Sequence, residues 1–373
     1  MKIGITGQSG FVGTHLYNYL GLQENIERVP FDDTFFQDEK ELERFVSSCD
    51  VIVHLAAMNR HNDPEVIYKT NMELVQKLIA ACERTDSRPH VLFASSIQES
   101  RNNPYGRSKR EGRKLLEEWA RRNNAFFTGL IIPNVFGPYG KPYHNSFVAT
   151  FCHQLTHQEE PKVEIDSEVE LIYVGKLVKE MYIKIKDKSK KRKVEEYRVP
   201  YSKKIKVSKV LEILRVYKED YFEKGIIPDL SDPFGRDLFN TFVGYIDHRT
   251  FFPFPLQKRE DKRGVFAELI KLKNGGQISF STTKSGITRG NHFHTRKAER
   301  FVVVRGKARI EIRRTGTNEV LSFELDGENP SFVDMPVWYT HNITNIGKED
   351  LYTVFWISEF YNPEDPDTFY EEV

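Results

Sequence analysis

Tyr105 and Lys109 stand four residues apart in the run Tyr105-Gly106-Arg107-Ser108-Lys109. On a helix, that spacing puts a phenol and an ammonium on one face. A phenol alone titrates near ~10; a neighbouring ammonium is expected to favour the phenolate and bring it toward working pH. Tyr105 would then donate a proton to a carbonyl oxygen as hydride arrives at its carbon. Ser96 would hydrogen-bond the same oxygen and orient it. A surface tyrosine and lysine can share this spacing, so the pair takes its weight from its surroundings. Ser95-Ser96 closes the preceding apolar run, and a glycine turn, Thr6-Gly7-Gln8-Ser9-Gly10-Phe11-Val12-Gly13, opens the chain. Such glycines allow a tight strand-to-helix turn and let backbone amides approach a pyrophosphate at the helix N-terminus. Gly7, Gly10, Phe11, Val12 and Gly13 are therefore expected to hold a dinucleotide.

The elements that must position these groups alternate. Apolar runs at 3–5, 51–55, 91–93 and 126–132 have the character of buried parallel strands. Helical patterns lie between them at 11–20, 64–84 and 105–122, with Pro64 as an early-helix residue. Strand–helix alternation implies a doubly wound Rossmann-type parallel sheet, an α/β fold. A further apolar helix at 207–217 is assigned to the same domain, and Pro228, Pro233 and Gly235 suggest a loop-rich exit. The run Phe251-Phe252-Pro253-Phe254-Pro255 is expected to be an apolar connector. From about Gly264, short alternating segments separated by glycine turns indicate an all-β domain. The expected division is 1–245 and 246–373.

Composition narrows the function classes. A formal net charge of +1 offers no global attraction to nucleic acid or anionic lipid. The lysine-rich stretch at 183–193 is followed by Glu195 and Glu196 without interleaved aromatics, so a solvated surface is the better reading. Cys49, Cys82 and Cys152 form no CxxC pair, which suits a reducing cytoplasm. No apolar run is long enough to span a membrane. Asp32 and Asp33 lie where an acid would hold the ribose 2′-hydroxyl of NAD, whereas Arg28 would suit the 2′-phosphate of NADP. The residues leave that choice open; NADPH is the expectation because biosynthetic reductions usually use it.

The glycine turn, Ser96 and the Tyr105/Lys109 pair resemble the extended short-chain dehydrogenase/reductase family, which acts on nucleotide sugars. Asp50-Val51-Ile52-Val53-His54-Leu55-Ala56-Ala57, Asn71 and Pro133-Asn134-Val135-Phe136-Gly137-Pro138 extend the resemblance. It implies that Leu55, Ala56 and Ala57 contact the cofactor and that Asn134 borders the nicotinamide and the sugar. Family dehydratases carry an acidic pair right after the catalytic hydroxyl. Here Ile97-Gln98 stand there, which favours reduction or epimerisation over dehydration.

A second cluster lies near the end. Residues 286–306 fit the first cupin motif, G-x5-HxH-x4-E-x6-G, through Gly286, His292, His294, Glu299 and Gly306. Pro336 and His341 keep part of the second motif, with Trp338 in place of its usual glycine. His292 and His294 point to one face of a strand. With Glu299 and His341 they make a 3-His-1-carboxylate set suited to Zn, Mn, Ni or Fe(II), zinc being the first choice. Asp261-Lys262-Arg263-Gly264-Val265-Phe266-Ala267-Glu268 is similar to the strand entrance of cupin-type 4-keto-sugar 3,5-epimerases. In such chemistry a C4 ketone acidifies the C3 hydrogen, a cation at the ketone oxygen stabilises the enolate, and a base moves the proton. His248, Tyr339 and Glu311 are the expected bases.

A short-chain reductase followed by a metal cupin resembles the bifunctional capsular polysaccharide enzymes of UDP-N-acetyl-L-fucosamine biosynthesis, the CapF family. Leu238-Phe239-Asn240-Thr241-Phe242 and Arg289-Gly290-Asn291-His292-Phe293-His294 belong to the match. The resemblance implies a cytoplasmic homodimer with a UDP-linked 4-keto-6-deoxy-N-acetylhexosamine as substrate. The cupin would epimerise C3 of UDP-2-acetamido-2,6-dideoxy-4-hexulose, and the N-terminal domain would reduce C4 with NADPH, giving UDP-N-acetyl-6-deoxy-L-talosamine. Arg236, read as lying in a loop before Leu238, is a candidate for the UDP pyrophosphate by its charge and fork. The alternative is a reductase whose cupin is only a metal-stabilised dimerisation or sugar-binding module.

Overall fold

The structure, a computed structural model, describes residues 1–187, 193–256, 258–261, 264–267, 270–273, 276–359 and 362–373. Residues 188–192 of the lysine-rich stretch, and Lys262, Arg263 and Glu268 of the strand-entrance motif, lie outside the described residues. The chain divides into two compact units. One comprises Met1–Phe136, Gly140–Phe147 and Glu168–Ile205; the other Gly137–Tyr139, Val148–Ser167 and Lys206–Val373.

Among the described residues of the first unit, six parallel strands form one sheet in the order Glu27–Val29, Lys2–Thr6, Val51–His54, His90–Ser96, Phe127–Ile132, Val194–Arg198. The order reverses between Lys2–Thr6 and Val51–His54, and ligands of open α/β sheets bind beyond the strand ends at such a switch. Val51–His54 is buried throughout because helices cover both faces. Alternate residues feed two cores. Ile52, Val91, Phe93 and Trp119 pack on one side, and Ile5, Val53, Leu92 and Met181 on the other. The expected helices appear as Phe11–Gly21, Pro64–Arg84 and Pro104–Arg122. Asp63 caps the second, with Pro64 in its first turn. Asn103 caps the third by accepting from the Gly106 amide at 2.7 Å, which sets Tyr105 in its first turn.

The second unit holds two five-stranded sheets. One runs Phe254–Pro255, Ser331–Met335, Glu299–Arg305, Leu351–Ile357, Gln277–Thr283; the other Val320–Asp326, Lys307–Arg314, Tyr339–Asn345, Thr288–Phe293, Phe369–Tyr370. Among the described residues, neighbouring strands in both sheets pair antiparallel. Phe252, Val302, Ile310, Phe332 and Ile343 form the core of this unit, so the aromatic run at 251–255 is a core element rather than a connector.

The helix Val207–Tyr217 packs within the second compact unit. Arg236 is not in a loop: it sits in the first turn of the helix Pro233–Val243. Asp232 caps that helix through the Gly235 amide at 3.1 Å. Pro233 at the first helical position starts a helix here instead of breaking one.

Candidate active site and metal centre

Gly7 has φ +69°, and a Cβ there would lie 2.8 Å from the Ala56 nitrogen; a Cβ on Gly13 would lie 2.2 Å from the Gly7 carbonyl oxygen. Only glycine lets the turn approach the end of Val51–His54 this closely. Gly10 caps the helix Phe11–Gly21 with no side chain on its amides. The first-turn amides, Phe11, Val12 and Gly13 included, therefore present the donors an anion takes. Thr6 Oγ1 and His54 Nδ1 share a hydrogen bond of 2.6 Å, and the Ala56 amide donates to Thr6 Oγ1 at 3.3 Å. Burial, and then the charge of Lys109, push His54 down to about 3, so it is a neutral strut. Leu55, Ala56 and Ala57 thus follow the strand beside the glycine turn. Arg28 turns onto the neighbouring helix: its guanidinium stacks 4.1 Å from the Tyr17 ring centroid and donates to the Tyr17 carbonyl at 3.2 Å. Asp32 is held by Thr34, whose amide and hydroxyl donate to it at 2.9 and 2.6 Å.

Lys109 is buried, and its Nζ donates to the Ala94 carbonyl at 2.9 Å. It stands 5.7 Å from the Tyr105 ring centroid. Burial draws its ammonium down to about 8, with Glu99 acting in the opposite sense. The expected lowering of Tyr105 is corrected: burial pushes its phenol up to about 12. Desolvation outweighs an ammonium that is itself desolvated and committed to a carbonyl. A phenol protonated at neutral pH is the form a reduction needs. Lys109 is charged below its own pKa, so the rate of reduction should stay level below about 8 and fall above it. Lys109→Met should remove that break from a plot of kcat/KM against pH.

The two serines have different fates. Ser95 donates to Glu99, whose carboxylate is gripped by Arg113 through two bonds of 2.9 Å. Ser96 accepts from the Gln98 amide at 3.1 Å and shares strand parity with Ala94, the carbonyl that Lys109 meets. The acid nearest the hydroxyl, Glu99, is therefore consumed in an ion pair, in keeping with the missing dehydratase acids. Asn71 has a role the sequence did not assign it. Its side chain accepts from the Met58 amide at 2.7 Å and donates to the Met58 carbonyl at 3.0 Å and to Ser108 Oγ at 3.1 Å. Ser108 donates in turn to the Tyr105 carbonyl at 2.8 Å. One buried amide ties the loop after Leu55 to the helix of Tyr105. Asn71→Ala should cost ~1–3 kcal/mol by leaving the Met58 groups unpaired, read as a lower urea midpoint. Asn134 donates to the Glu170 carbonyl at 3.1 Å and so knits its strand to Glu168–Tyr173.

In the second unit His292, His294, Glu299 and His341 converge, with all four ligand atoms within 4.8 Å of one another. Three are buried and His292 is half-buried. His292 and His341 are cross-strand partners, and a bulge between Gly290 and His292 re-aims the first histidine. Gly290 has φ +103°, and a Cβ there would lie 2.8 Å from the His341 carbonyl oxygen. Glu299 Oε2 lies 3.4 Å from His294 Nε2 and 3.1 Å from His341 Nε2. These three buried atoms have no hydrogen-bond partner of good geometry. Burial pushes the Glu299 carboxyl upward, but the two imidazoles more than offset it and hold it well below the usual carboxylate range. Burial, then His341 and His294, draw His292 down to about 4. Three imidazoles and a carboxylate sharing one point are the donor set a divalent metal takes. Trp338, at the motif's glycine position, keeps the glycine's conformation with φ +62°. Its ring stacks on Phe293 at 5.5 Å, and its amide donates to the His294 carbonyl at 2.8 Å.

Of the expected bases, Glu311 is corrected. It pairs with Asn342, whereas Ile312 pairs with His341, so Glu311 faces away from His341 and its cluster. Tyr339 shares the face of His341 by parity, and the buried His248 ring lies 5.2 Å from it. A further residue went unnoticed in the sequence: the carbonyl of Asp367 accepts from His294 Nδ1 at 2.5 Å. An isolated aspartate far beyond both cupin motifs carries no local signal of this.

Residues 3–199 match the family model described as NAD dependent epimerase/dehydratase family, and residues 259–369 the polysaccharide biosynthesis C-terminal domain. A UDP-2-acetamido-2,6-beta-L-arabino-hexul-4-ose reductase of Pseudomonas aeruginosa is 32% identical over 99% of this chain and 98% of its own. The capsular polysaccharide assembling protein CapF of Staphylococcus aureus aligns over the full length of both chains, with 34% identity and a TM-score of 0.63. The chain is a CapF-like member of the NAD dependent epimerase/dehydratase family. A third relative of this CapF-like chain meets it in part: the spore coat polysaccharide biosynthesis protein SpsL of Bacillus subtilis is 26% identical over 30% of the chain and 81% of its own length. No helix among the described residues is long and apolar enough to cross a membrane.

Proposed function

We propose that this CapF-like chain is a two-step, cytoplasmic, homodimeric nucleotide-sugar enzyme of capsular polysaccharide synthesis. Residues 246–373, as a cupin, epimerise C3 of UDP-2-acetamido-2,6-dideoxy-4-hexulose. Residues 1–245 then reduce the C4 ketone to UDP-N-acetyl-6-deoxy-L-talosamine with NADPH. The observation that carries the reductase step is the half-buried Tyr105 with the buried Lys109 5.7 Å from its ring centroid, in a chain alike from end to end to a UDP-4-keto-sugar reductase.

The glycine turn holds the cofactor's pyrophosphate at the amides of Phe11, Val12 and Gly13. The bound nicotinamide supplies hydride. Ser96 hydrogen-bonds the C4 oxygen and fixes its direction, and Tyr105 gives that oxygen its proton as charge develops. Lys109 keeps positive charge beneath the phenol, stabilising the phenolate left behind. Asn134 borders the sugar, and Arg236 meets the UDP pyrophosphate.

In the second domain His292, His294, Glu299 and His341 hold the divalent metal, with zinc the first choice. When bound there, such an ion would supply Lewis-acid polarisation of a carbonyl oxygen. Tyr339 and His248, on the metal residues' side of the sheet, are the groups placed to move the C3 proton. Epimerisation needs the ketone, and reduction removes it, so reduction draws the first step forward.

The test is oxidation of NADPH by the purified protein with the UDP-linked 4-keto-6-deoxy-N-acetylhexosamine, with the product's configuration read by NMR. Loss of NADPH absorbance with an L-talo product is the expected result. No oxidation with either NADPH or NADH would overturn the reductase reading, and a product with C3 unchanged would leave the second domain as a binding module.

A further inference from the structure

The four metal residues end at His341, but their surroundings do not. The segment 365–372 returns to the same place and forms the edge strand Phe369–Tyr370, in which Tyr370 pairs with His292 and Phe369 with Phe293. The Glu371 amide donates to the Asn291 carbonyl at 3.0 Å. Thr340, beside His341, donates its hydroxyl to the Glu371 carbonyl at 2.6 Å. One short segment therefore bonds to residues flanking ligands on two separate strands.

Asp367 is its anchor. The residue is 3% exposed and adopts φ +42°, in the left-handed region. Its carboxylate accepts from the Thr295 amide and hydroxyl at 3.2 and 2.6 Å and from the Arg296 amide at 3.0 Å. These bonds place its carbonyl where His294 Nδ1 donates to it. That contact decides the tautomer. With the proton fixed on Nδ1, the lone pair of Nε2 faces Glu299 and His341, the form a metal needs. Without the segment, His294 would lose the partner that fixes both its proton and its ring.

We infer that the segment 365–372 is part of the metal centre, with Asp367 the residue that positions His294, so that docking of the segment and binding of the metal stabilise each other. The coupling is reciprocal by linkage: whatever the docked segment adds to metal affinity, the metal adds to docking. This rests on the metal reading proposed above.

Zinc affinity would be measured by competition with a chelating dye in the full-length protein, for the native chain, Asp367→Ala and Asp367→Asn. Asp367→Ala should lose roughly 10–100-fold in affinity, the usual scale for a group that orients a metal-bound histidine. Asp367→Asn keeps an acceptor and tolerates positive φ, so it should recover part of the loss. Hydrogen exchange on the native chain needs no variant: the amides of 369–371 should exchange at least ~10-fold more slowly with zinc than without. Unchanged affinity in Asp367→Ala, or exchange indifferent to zinc in a native chain that binds it, would overturn the coupling. A native chain that binds no zinc would overturn the metal reading itself.

Discussion

Tyr105→Phe should reduce kcat for NADPH oxidation by about 10²–10⁴-fold, the range for loss of a positioned general acid. The substitution removes one oxygen and leaves the ring in its place. Asn103 still caps the helix, and Asn71 and Ser108 still fix the Tyr105 backbone. Lys109 keeps its bond to the Ala94 carbonyl. The loss should therefore fall on kcat, with the dissociation constant for NADPH little changed. Stopped-flow absorbance and equilibrium fluorescence titration separate the two quantities. A variant that turns over at the native rate would remove Tyr105 as the proton donor.

His292→Ala should have the second large effect, and a different one. His292 is the half-buried member of its cluster and its ring lies 4.7 Å from that of His341. Its loss leaves three donors, two imidazoles and Glu299, in a buried space that can no longer close around an ion. Proton exchange at C3 should fall by roughly 10³-fold, equivalent to ~4 kcal/mol at about 1.36 kcal/mol per decade. Metal content should fall in parallel, as read by elemental analysis. The reductase groups belong to the other compact unit, so NADPH affinity should be unchanged.

Much of this was legible in the sequence because each feature declares itself locally. A glycine turn after an apolar run, tyrosine and lysine at i and i+4, and histidines at i and i+2 need only a helix or a strand to be read. Apart from Pro233, whose cap is its neighbour in sequence, what failed had non-local causes. Tyr105 was expected to be acidified by its neighbour, but the pKa depends on how deeply both are buried, which no spacing reveals. Pro233 looked like a break because its cap, Asp232, was not weighed with it. Glu311 was a plausible base until strand pairing put it on the face opposite His341. Asp367 and Asn71 act through main-chain contacts with residues distant in sequence, and their types alone do not announce that.

The proposed function houses two chemistries in two separate sets of residues. The most direct test incubates the UDP-linked 4-keto-6-deoxy-N-acetylhexosamine in deuterated buffer, following C3 labelling and NADPH oxidation together for the native protein, Tyr105→Phe and His292→Ala. Tyr105→Phe should label C3 normally yet consume almost no NADPH, whereas His292→Ala should lose the label. Labelling that survives in His292→Ala, or vanishes in Tyr105→Phe, would contradict the division of labour.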